Sequence, residues 1–325
     1  MQSRSARSYI HVLSALLLLI HAAAYSRDAG SDAAQPAGPS LLVLGSGGPG
    51  ATGRAGAGYI ISLQGRPRIL VDAGPGTFAR AGEAGVDLGS VDIVLLTHLH
   101  VDHTGELPGL IKARIVSERR DIRFKIFGPP GSPGGGDAAR FPSTTEFVNL
   151  LFGPRGAFSY LTDFAGHMTL DTRNVARSAQ PQVLLQDGDL TITGITGHHG
   201  DAPSVIYRID YRGRSITLSG DIDAAGHAAL TRLARNTDVL VFNAAVLDPP
   251  GSPPVLYTLH TAPRDIGRIA QAAGARKLLL SHLNPTIDDA HDAVLASIRE
   301  SYRGPIEFVH DGSSYGPQTL NARHQ

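Results

Sequence analysis

The amino-acid sequence predicts an α/β protein, an αββα four-layer sandwich in which two β-sheets pack face to face between outer helices. Short apolar runs bounded by glycine, proline and aspartate occur in two groups, at residues 41–127 and 182–281. Helical patterns follow strands in both groups, at residues 75–84, 104–116, 226–235, 262–273 and 288–301. With 42% hydrophobic and 18% charged residues, the chain has the composition of a globular protein that can bury both sheets.

The N-terminal residues have the pattern of a secretory signal. Arg4 and Arg7 precede an apolar run at residues 12–20, and three alanines at 22–24 suit a signal peptidase. We predict a signal peptide over residues 1–24, a flexible linker over 25–40 and one domain over 41–325. The protein is therefore expected in the periplasm or the medium, without membrane contact after cleavage, and an uncleaved anchor is the alternative. The absence of cysteine agrees with export and excludes disulfides.

The formal charge gives the mature chain no general attraction to nucleic acid. Loss of a leader with two arginines changes the balance of 29 basic and 29 acidic residues to a net charge of −2. Such a surface lacks the excess of Lys and Arg that binds anionic membranes or nucleic-acid backbones.

The first strands are predicted at residues 41–44, 59–63 and 68–71. A glycine-rich stretch at 45–50 is not followed by Gly-Lys-Ser/Thr, and it has a proline where a phosphate-binding loop would offer an amide. We interpret this stretch as a tight turn at the end of the strand and reject the hypothesis that it binds a nucleotide. Asp72 ends the third strand before a Gly-Pro-Gly turn, and a turn or capping role is the alternative to a role in a functional site.

Four metal-binding side chains follow the apolar run at residues 91–96, because residues 98–103 read His-Leu-His-Val-Asp-His. In an extended backbone residues two apart face the same way, so His98 and His100 can bind one ion at the end of that strand. Asp102 and His103 can turn toward a second ion where the loop and helix follow. The pattern indicates two metal ions, and a histidine-rich loop that binds nothing, or a single structural zinc, is the alternative.

Three later strand ends supply further candidates. His198 and His199 follow the strand at 190–196, and only one of them is expected to bind a metal because adjacent side chains diverge. Asp221 follows the strand at 214–218, and its two oxygens can bridge cations about 3.5–4 Å apart. His282 follows the apolar strand at 277–281.

Residues 129–180 differ in composition from the rest of the domain. They are Pro- and Gly-rich at the start, aromatic further on, and show no strong strand pattern. We interpret them as an insertion that covers the active-site mouth and lines a substrate pocket. Its aromatic residues are also expected to pack it onto the domain: Phe141, Phe147, Phe152, Phe158, Tyr160 and Phe164.

Residues 98–103 resemble the HxHxDH signature of the metallo-β-lactamase-fold hydrolases, and further motifs follow in family order across residues 41–315. The resemblance implies the αββα fold and two Zn²⁺ ions per chain, with Mn²⁺ or Fe as alternatives. It implies that Asp221 bridges the ions and that Asp72 supports the histidine ligands by hydrogen bonding. The implied metal ligands are His98, His100, Asp102, His103, His199, Asp221 and His282. The spacing from His199 to Tyr207 resembles the ribonuclease Z and type III arylsulfatase branches, which favours His199 over His198.

His260 and Thr261 resemble the His-Ser/Thr motif of ribonuclease Z, some twenty residues before the final ligand. The resemblance implies a histidine beside the metals that assists the reacting phosphate, and we predict that it acts as a general acid. The alternative is a neighbour of a helix cap formed by Thr261. Asp72 and Asp102 complete the predicted catalytic set.

These motifs predict an exported dinuclear-metal hydrolase that cleaves a phosphodiester or sulfate ester with a metal-bridging hydroxide. Three features argue against transfer RNA as the substrate: the predicted export, an insertion without a basic arm, and the sequence Phe-Asn-Ala-Ala at 242–245. Ribonuclease Z has a glutamate-alanine-threonine motif at that place. A small anionic aryl or alkyl ester fits better, and a homodimer is compatible with this prediction. A lactonase or β-lactamase, or a non-catalytic metal-binding module, is the alternative.

Overall fold

The part of the chain that the structure, a computed structural model, describes is residues 38–50, 52–136 and 140–318. Its strands are β1 (Pro39–Gly45), β2 (Gly58–Leu63), β3 (Arg66–Val71), β4 (Ile93–Leu95), β5 (Ile122–Gly128), β6 (Met168–Asn174), β7 (Gln182–Asp187), β8 (Leu190–Thr196), β9 (Val205–Tyr211), β10 (Arg214–Leu218), β11 (Val239–Asn243), β12 (Lys277–Ser281), β13 (Ile306–Phe308) and β14 (Ser314–Tyr315). Its α-helices are α1 (Thr77–Glu83), α2 (Val101–Thr104), α3 (Leu107–Glu118), α4 (Thr144–Phe152), α5 (His227–Leu233), α6 (Pro263–Ala273), α7 (Pro285–Asp288) and α8 (His291–Arg299). The predicted signal peptide lies outside the described residues, and β1 begins inside the predicted linker. No helix of the described part combines the length and apolar character needed to cross a bilayer.

The strands form two sheets of seven strands each within these ranges. The order is β14-β1-β2-β3-β4-β5-β6 in the first sheet and β13-β12-β11-β10-β9-β8-β7 in the second. Strands β3 to β6 pair in parallel, as do β10 to β13, and the remaining neighbours pair antiparallel. The carboxyl ends of parallel strands therefore meet at one edge of each sheet, where side chains from successive strands can converge.

Both faces of each sheet are covered, as the apolar strands require. In β4, Ile93 and Leu95 face the core between the sheets, whereas Val94 faces the outer core formed with α1 and α3. Helices α5, α6 and α8 cover the outer face of the second sheet. The layers therefore run helix, sheet, sheet, helix, and the predicted αββα sandwich is confirmed.

The predicted insertion at residues 129–180 is partly an integral piece of the first sheet. Its residues 168–174 form β6, which pairs with β5 along its whole length, so the expectation of no strand there is wrong. This edge strand, Met-Thr-Leu-Asp-Thr-Arg-Asn, has apolar residues only at positions 168 and 170, so it contains no apolar run that would indicate a strand. Helix α4 packs Val148 and Phe152 into the outer core. Of the aromatic residues in this segment, Phe141 contacts the predicted site, with its ring centroid 5.7 Å from that of His100.

Hydrogen bonds tie the two sheets together near the strand ends. The Tyr207 hydroxyl donates to the carbonyl of Leu96 at 3.0 Å, and the Val205 amide donates to the carbonyl of Thr97 at 2.8 Å. These contacts hold the end of β4 against the second sheet, where the predicted ligands are found.

Candidate metal centre

The His-Leu-His-Val-Asp-His stretch begins in the loop after β4 and continues into α2. Strand β4 ends at Leu95, so His98 and His100 follow the end of the strand. The backbone of His100 is still extended, with φ −66° and ψ 152°. Asp102 and His103 lie on the single turn of α2, which starts three residues before the predicted helix and directs both side chains inward.

Three histidines converge in a first donor group. The Nε2 atom of His98 lies 3.1 Å from Nδ1 of His100, and Nε2 of His199 lies 3.3 Å from the same atom. Burial lowers the pKa of His98 well below its usual value and also lowers that of His100, so both rings are neutral at pH 7 and keep a lone pair for a metal.

Asp102, His103 and His282 form a second donor group with Asp221. The Nε2 atoms of His103 and His282 lie 3.7 and 3.3 Å from Oδ2 of Asp102. Although burial disfavours a charged carboxylate, hydrogen bonding and charge attraction from His282 and His103 lower the pKa of Asp102. A carboxylate among imidazole nitrogens is a donor set that divalent transition metals bind.

Asp221 belongs to both groups through one oxygen. Its Oδ2 lies 3.9 Å from Nε2 of His98 and 3.6 Å from Nε2 of His199 on one side. On the other side it lies 3.7 Å from Nε2 of His103 and 3.4 Å from Nε2 of His282. Burial opposes ionisation of Asp221, but the charges of His282 and His103 hold its pKa well below the usual range. This position is suited to a carboxylate that two cations share.

Asp72 orients His103 from beneath the cluster. Its Oδ2 accepts from Nδ1 of His103 at 2.8 Å and from the Thr97 hydroxyl at 2.7 Å, while Oδ1 accepts from the Thr97 amide at 2.8 Å. Although burial disfavours the charged ring, the carboxylates of Asp72 and Asp221 raise the pKa of His103 well above its usual value. Because Asp72 holds the proton on Nδ1, Nε2 is the nitrogen that faces the cluster, and a metal bound there would replace the Nε2 proton.

The two adjacent histidines after β8 diverge as expected. His199 is buried, and its Nδ1 donates to the carbonyl of Leu259 at 2.7 Å, which leaves Nε2 free to face the cluster. The His198 side chain is 51% exposed and pairs with Asp223 at 2.7 Å, away from the donor groups. The geometry thus brings His199 and not His198 into the cluster.

His260 also lies at the cluster, with its Nδ1 3.9 Å from Oδ2 of Asp221 and grouped with His199. Burial lowers the pKa of His260 to about 4, so its ring is neutral at pH 7. The alternative role as neighbour of a Thr261 cap is wrong, because Ala262 occupies the N-cap of α6 and the Thr261 hydroxyl donates to the carbonyl of Ile222.

Backbone geometry at the cluster is unusual. Asp72 and His282 adopt left-handed backbone conformations, with φ values of 57° and 60°. Residues other than glycine seldom occupy this region. Gly220, directly before Asp221, has φ 56°, and a Cβ there would lie 2.7 Å from Cβ of Thr97. Strained residues of this kind gather at functional sites.

The residues present fit divalent metal ions. The buried Nε2 of His103 and Nδ1 of His260 have no hydrogen-bond partner among the described residues, although buried polar atoms are normally paired. Both atoms lie within 4 Å of Oδ2 of Asp221. Two donor groups of histidine and aspartate, lying side by side without cysteine, can hold two such ions.

Sequence reasoning missed two residues of the site. The Thr97 amide and hydroxyl both hold Asp72, and the Asn243 amide donates to Oδ1 of Asp221 at 2.7 Å. In the sequence, Asn243 stands out only as a departure from a family motif. Its position at the end of β11, between the strands that carry Asp221 and His282, was the available signal.

The cluster is bordered by apolar side chains and by a small open cavity whose arginines are paired with carboxylates. Phe141 contacts His100, and Val101, between two of the predicted ligands, is 71% exposed. An open cavity of about 630 Å³ reaches Asp102 and is walled by glycine, proline and alanine together with Arg54, Arg80 and Glu83. Both arginines are paired with carboxylates, those of Asp288, Glu83 and Asp311.

The comparisons with known proteins agree with this geometry. The model of the β-lactamase superfamily domain matches residues 67–283. Ribonuclease Z from Mycobacterium avium (strain 104) is 29% identical over 256 residues, 76% of this chain and 86% of that protein. The metallo-β-lactamase fold protein YhfI from Bacillus subtilis matches with TM-score 0.62 and 21% identity, over 86% of this chain and 99% of that one. The short form of human tRNase Z matches with TM-score 0.63 and 19% identity, over 85% of this chain and 98% of that one. The chain therefore belongs to the metallo-β-lactamase superfamily, and its sequence is similar to that of ribonuclease Z.

Proposed function

We propose that this chain is an exported hydrolase that uses two divalent metal ions to cleave a phosphodiester or sulfate ester. The observation that carries the proposal is the pair of donor groups that share Oδ2 of Asp221. His98, His100 and His199 would hold one ion, and Asp102, His103 and His282 the other, with Asp221 between them. When bound, such ions generate a nucleophile from water at neutral pH and polarise the ester under attack.

The protein's own residues would orient the reactants. Asp102 stays ionised and would orient the attacking water by accepting its hydrogen bond. Asp72 would hold the Nδ1 proton of His103 and so keep Nε2 turned toward the ion. General-acid catalysis, the predicted role, needs a protonated ring, whereas burial keeps the ring of His260 neutral at pH 7, so we propose a different role for His260. It would donate an N–H hydrogen bond to the charge that develops on the substrate oxygen.

A small substrate suits the surroundings of the cluster better than RNA. The cavity of about 630 Å³ beside Asp102 is of the size that small ligands occupy. Its two arginines already pair with carboxylates, whereas tracking an RNA backbone requires several unpaired cations. Phe141 and Val101 offer apolar contact to an aryl or alkyl group.

The test is hydrolysis of nitrophenyl sulfate, nitrophenyl phosphate and bis-nitrophenyl phosphate by the zinc-loaded protein, with a lactone and a β-lactam as controls. We expect turnover of the sulfate or the diester, and metal analysis should return about two ions per chain. Turnover of the lactone or β-lactam alone would replace the proposed reaction by that alternative. A fully metallated protein that hydrolyses nothing would be a binding module.

Export is tested separately by fractionation of producing cells and by the mass of the mature protein. The expected mature chain lacks residues 1–24, and recovery of the full-length chain from the membrane fraction would favour an uncleaved anchor.

A further inference from the structure

Asn243 is the last residue of β11 and lies between two strand ends that carry cluster residues. Strand β11 pairs in parallel with β10, which precedes Asp221, and with β12, which precedes His282. Asn243 is buried, with 5% of its surface exposed. Its backbone amide donates to the Ser219 hydroxyl at 3.1 Å, which fixes it against the β10 end.

The two oxygens of Asp221 have different surroundings. Oδ2 lies 3.4 to 3.9 Å from nitrogens of five histidines. Oδ1 points the other way and accepts from Nδ2 of Asn243 at 2.7 Å. The terminal torsion of an aspartate has a broad, roughly two-fold energy profile, so nothing intrinsic to Asp221 selects which oxygen faces the histidines.

We propose that Asn243 is a positioning residue that fixes the rotation of the Asp221 carboxylate and so presents Oδ2 to both metal positions. An amide is suited to this role because its NH₂ group can only donate. An ionised carboxylate could not donate this hydrogen bond and would place a second negative charge against Oδ1. Asn243 is therefore a functional part of this site and not only a departure from the ribonuclease Z motif. The proposal rests on metal binding by the cluster but on no particular reaction.

The test uses Asn243→Leu and Asn243→Ala in the full chain, which change side-chain volume in different ways but remove the same donor. Zinc affinity is measured by competition with a chromophoric chelator. Loss of a hydrogen-bond partner to a ligand should weaken the affinity of at least one ion by about 10- to 100-fold in both variants. Thr217→Val is the matched control, because it removes a buried hydrogen bond from β10 to Thr237, 3.0 Å long, without touching the cluster.

The control should lower the melting temperature of the metal-free protein and keep wild-type zinc affinity, which separates positioning from general destabilisation. Zinc affinities of both Asn243 variants within two-fold of wild type would overturn the inference alone. If the wild type binds zinc but hydrolyses no ester, the proposed function fails and the inference is still tested in full. A wild type that binds no zinc refutes both.

Discussion

Replacement of Asp72 by asparagine should remove metal from one half of the cluster without disturbing the fold. Asp72 accepts three hydrogen bonds of 2.7 to 2.8 Å, two from Thr97 and one from Nδ1 of His103. Asparagine has nearly the same shape, but its NH₂ group would face Nδ1 and could only donate to it. The proton of His103 would then move to Nε2, the atom directed at the cluster, and block that lone pair.

The expected loss is about 10- to 100-fold in affinity for the ion held by His103, or about 1.4 to 2.8 kcal/mol. Affinity is measured by chelator competition and stoichiometry by metal analysis. Asp223→Asn is a close control, because Asp223 also accepts from the Nδ1 of a histidine, His198, at 2.7 Å and from backbone amides. Both variants should lose stability, but only Asp72→Asn should lose metal. Wild-type zinc affinity in Asp72→Asn would refute the role assigned to this carboxylate.

Three further changes probe catalysis, specificity and stability. His260→Ala should retain both ions and lower kcat by about 10²- to 10³-fold, less so for nitrophenol leaving groups; loss of an ion instead would reassign His260 as a ligand. Phe141→Ala should raise KM for aryl esters by about 3- to 10-fold with little change in kcat. The control is Phe164→Ala, which removes a 51% exposed ring outside the site and should leave KM unchanged. Asp288→Asn should cost about 1 kcal/mol of stability at pH 7 by breaking the two-bond pair with Arg54. Although partial burial opposes ionisation, Arg54 lowers the pKa of Asp288 in the folded protein below the unfolded value of 3.8. The contribution of this ion pair to stability is therefore present above pH 3.8 and is lost as the pH falls through the folded pKa. A difference in unfolding free energy between wild type and Asp288→Asn that stays constant down to acid pH would contradict this prediction.

The sequence was most informative where structure and chemistry are both local. Strands predicted at 190–196 and 214–218 match β8 and β10 residue for residue, because glycine and aspartate bound short apolar runs. The first donor residues could be found because they lie within six positions of one another. Strand β6 was missed because half-buried edge residues leave no apolar run.

Contacts between separate strands were the part that could not be predicted. The hydrogen bond from Asn243 to Asp221 joins residues 22 positions apart, and it depends on the register of β10 against β11. The contact of Phe141 with His100 depends on the path of a long loop, so the sequence suggested an aromatic lining without identifying the residue.

The order in which the chain builds its sheets has a consequence for how it unfolds. Strands β1 to β6 belong to the first sheet and β7 to β13 to the second, and the two-residue strand β14 then returns to the first sheet. The proposed ligands divide between the β1–β6 half of the chain and the β7–β13 half. Metal bound there would act as a cross-link between sequentially separate halves of the polypeptide. Because such ions bind the folded state far better than the unfolded one, their binding free energy would add to folding stability. In the metal-loaded protein, neither half could then unfold alone without releasing metal, so amide hydrogens in both sheets should exchange with solvent together. After the metal is removed by a chelator, the amide hydrogens of the two halves should exchange at separate rates.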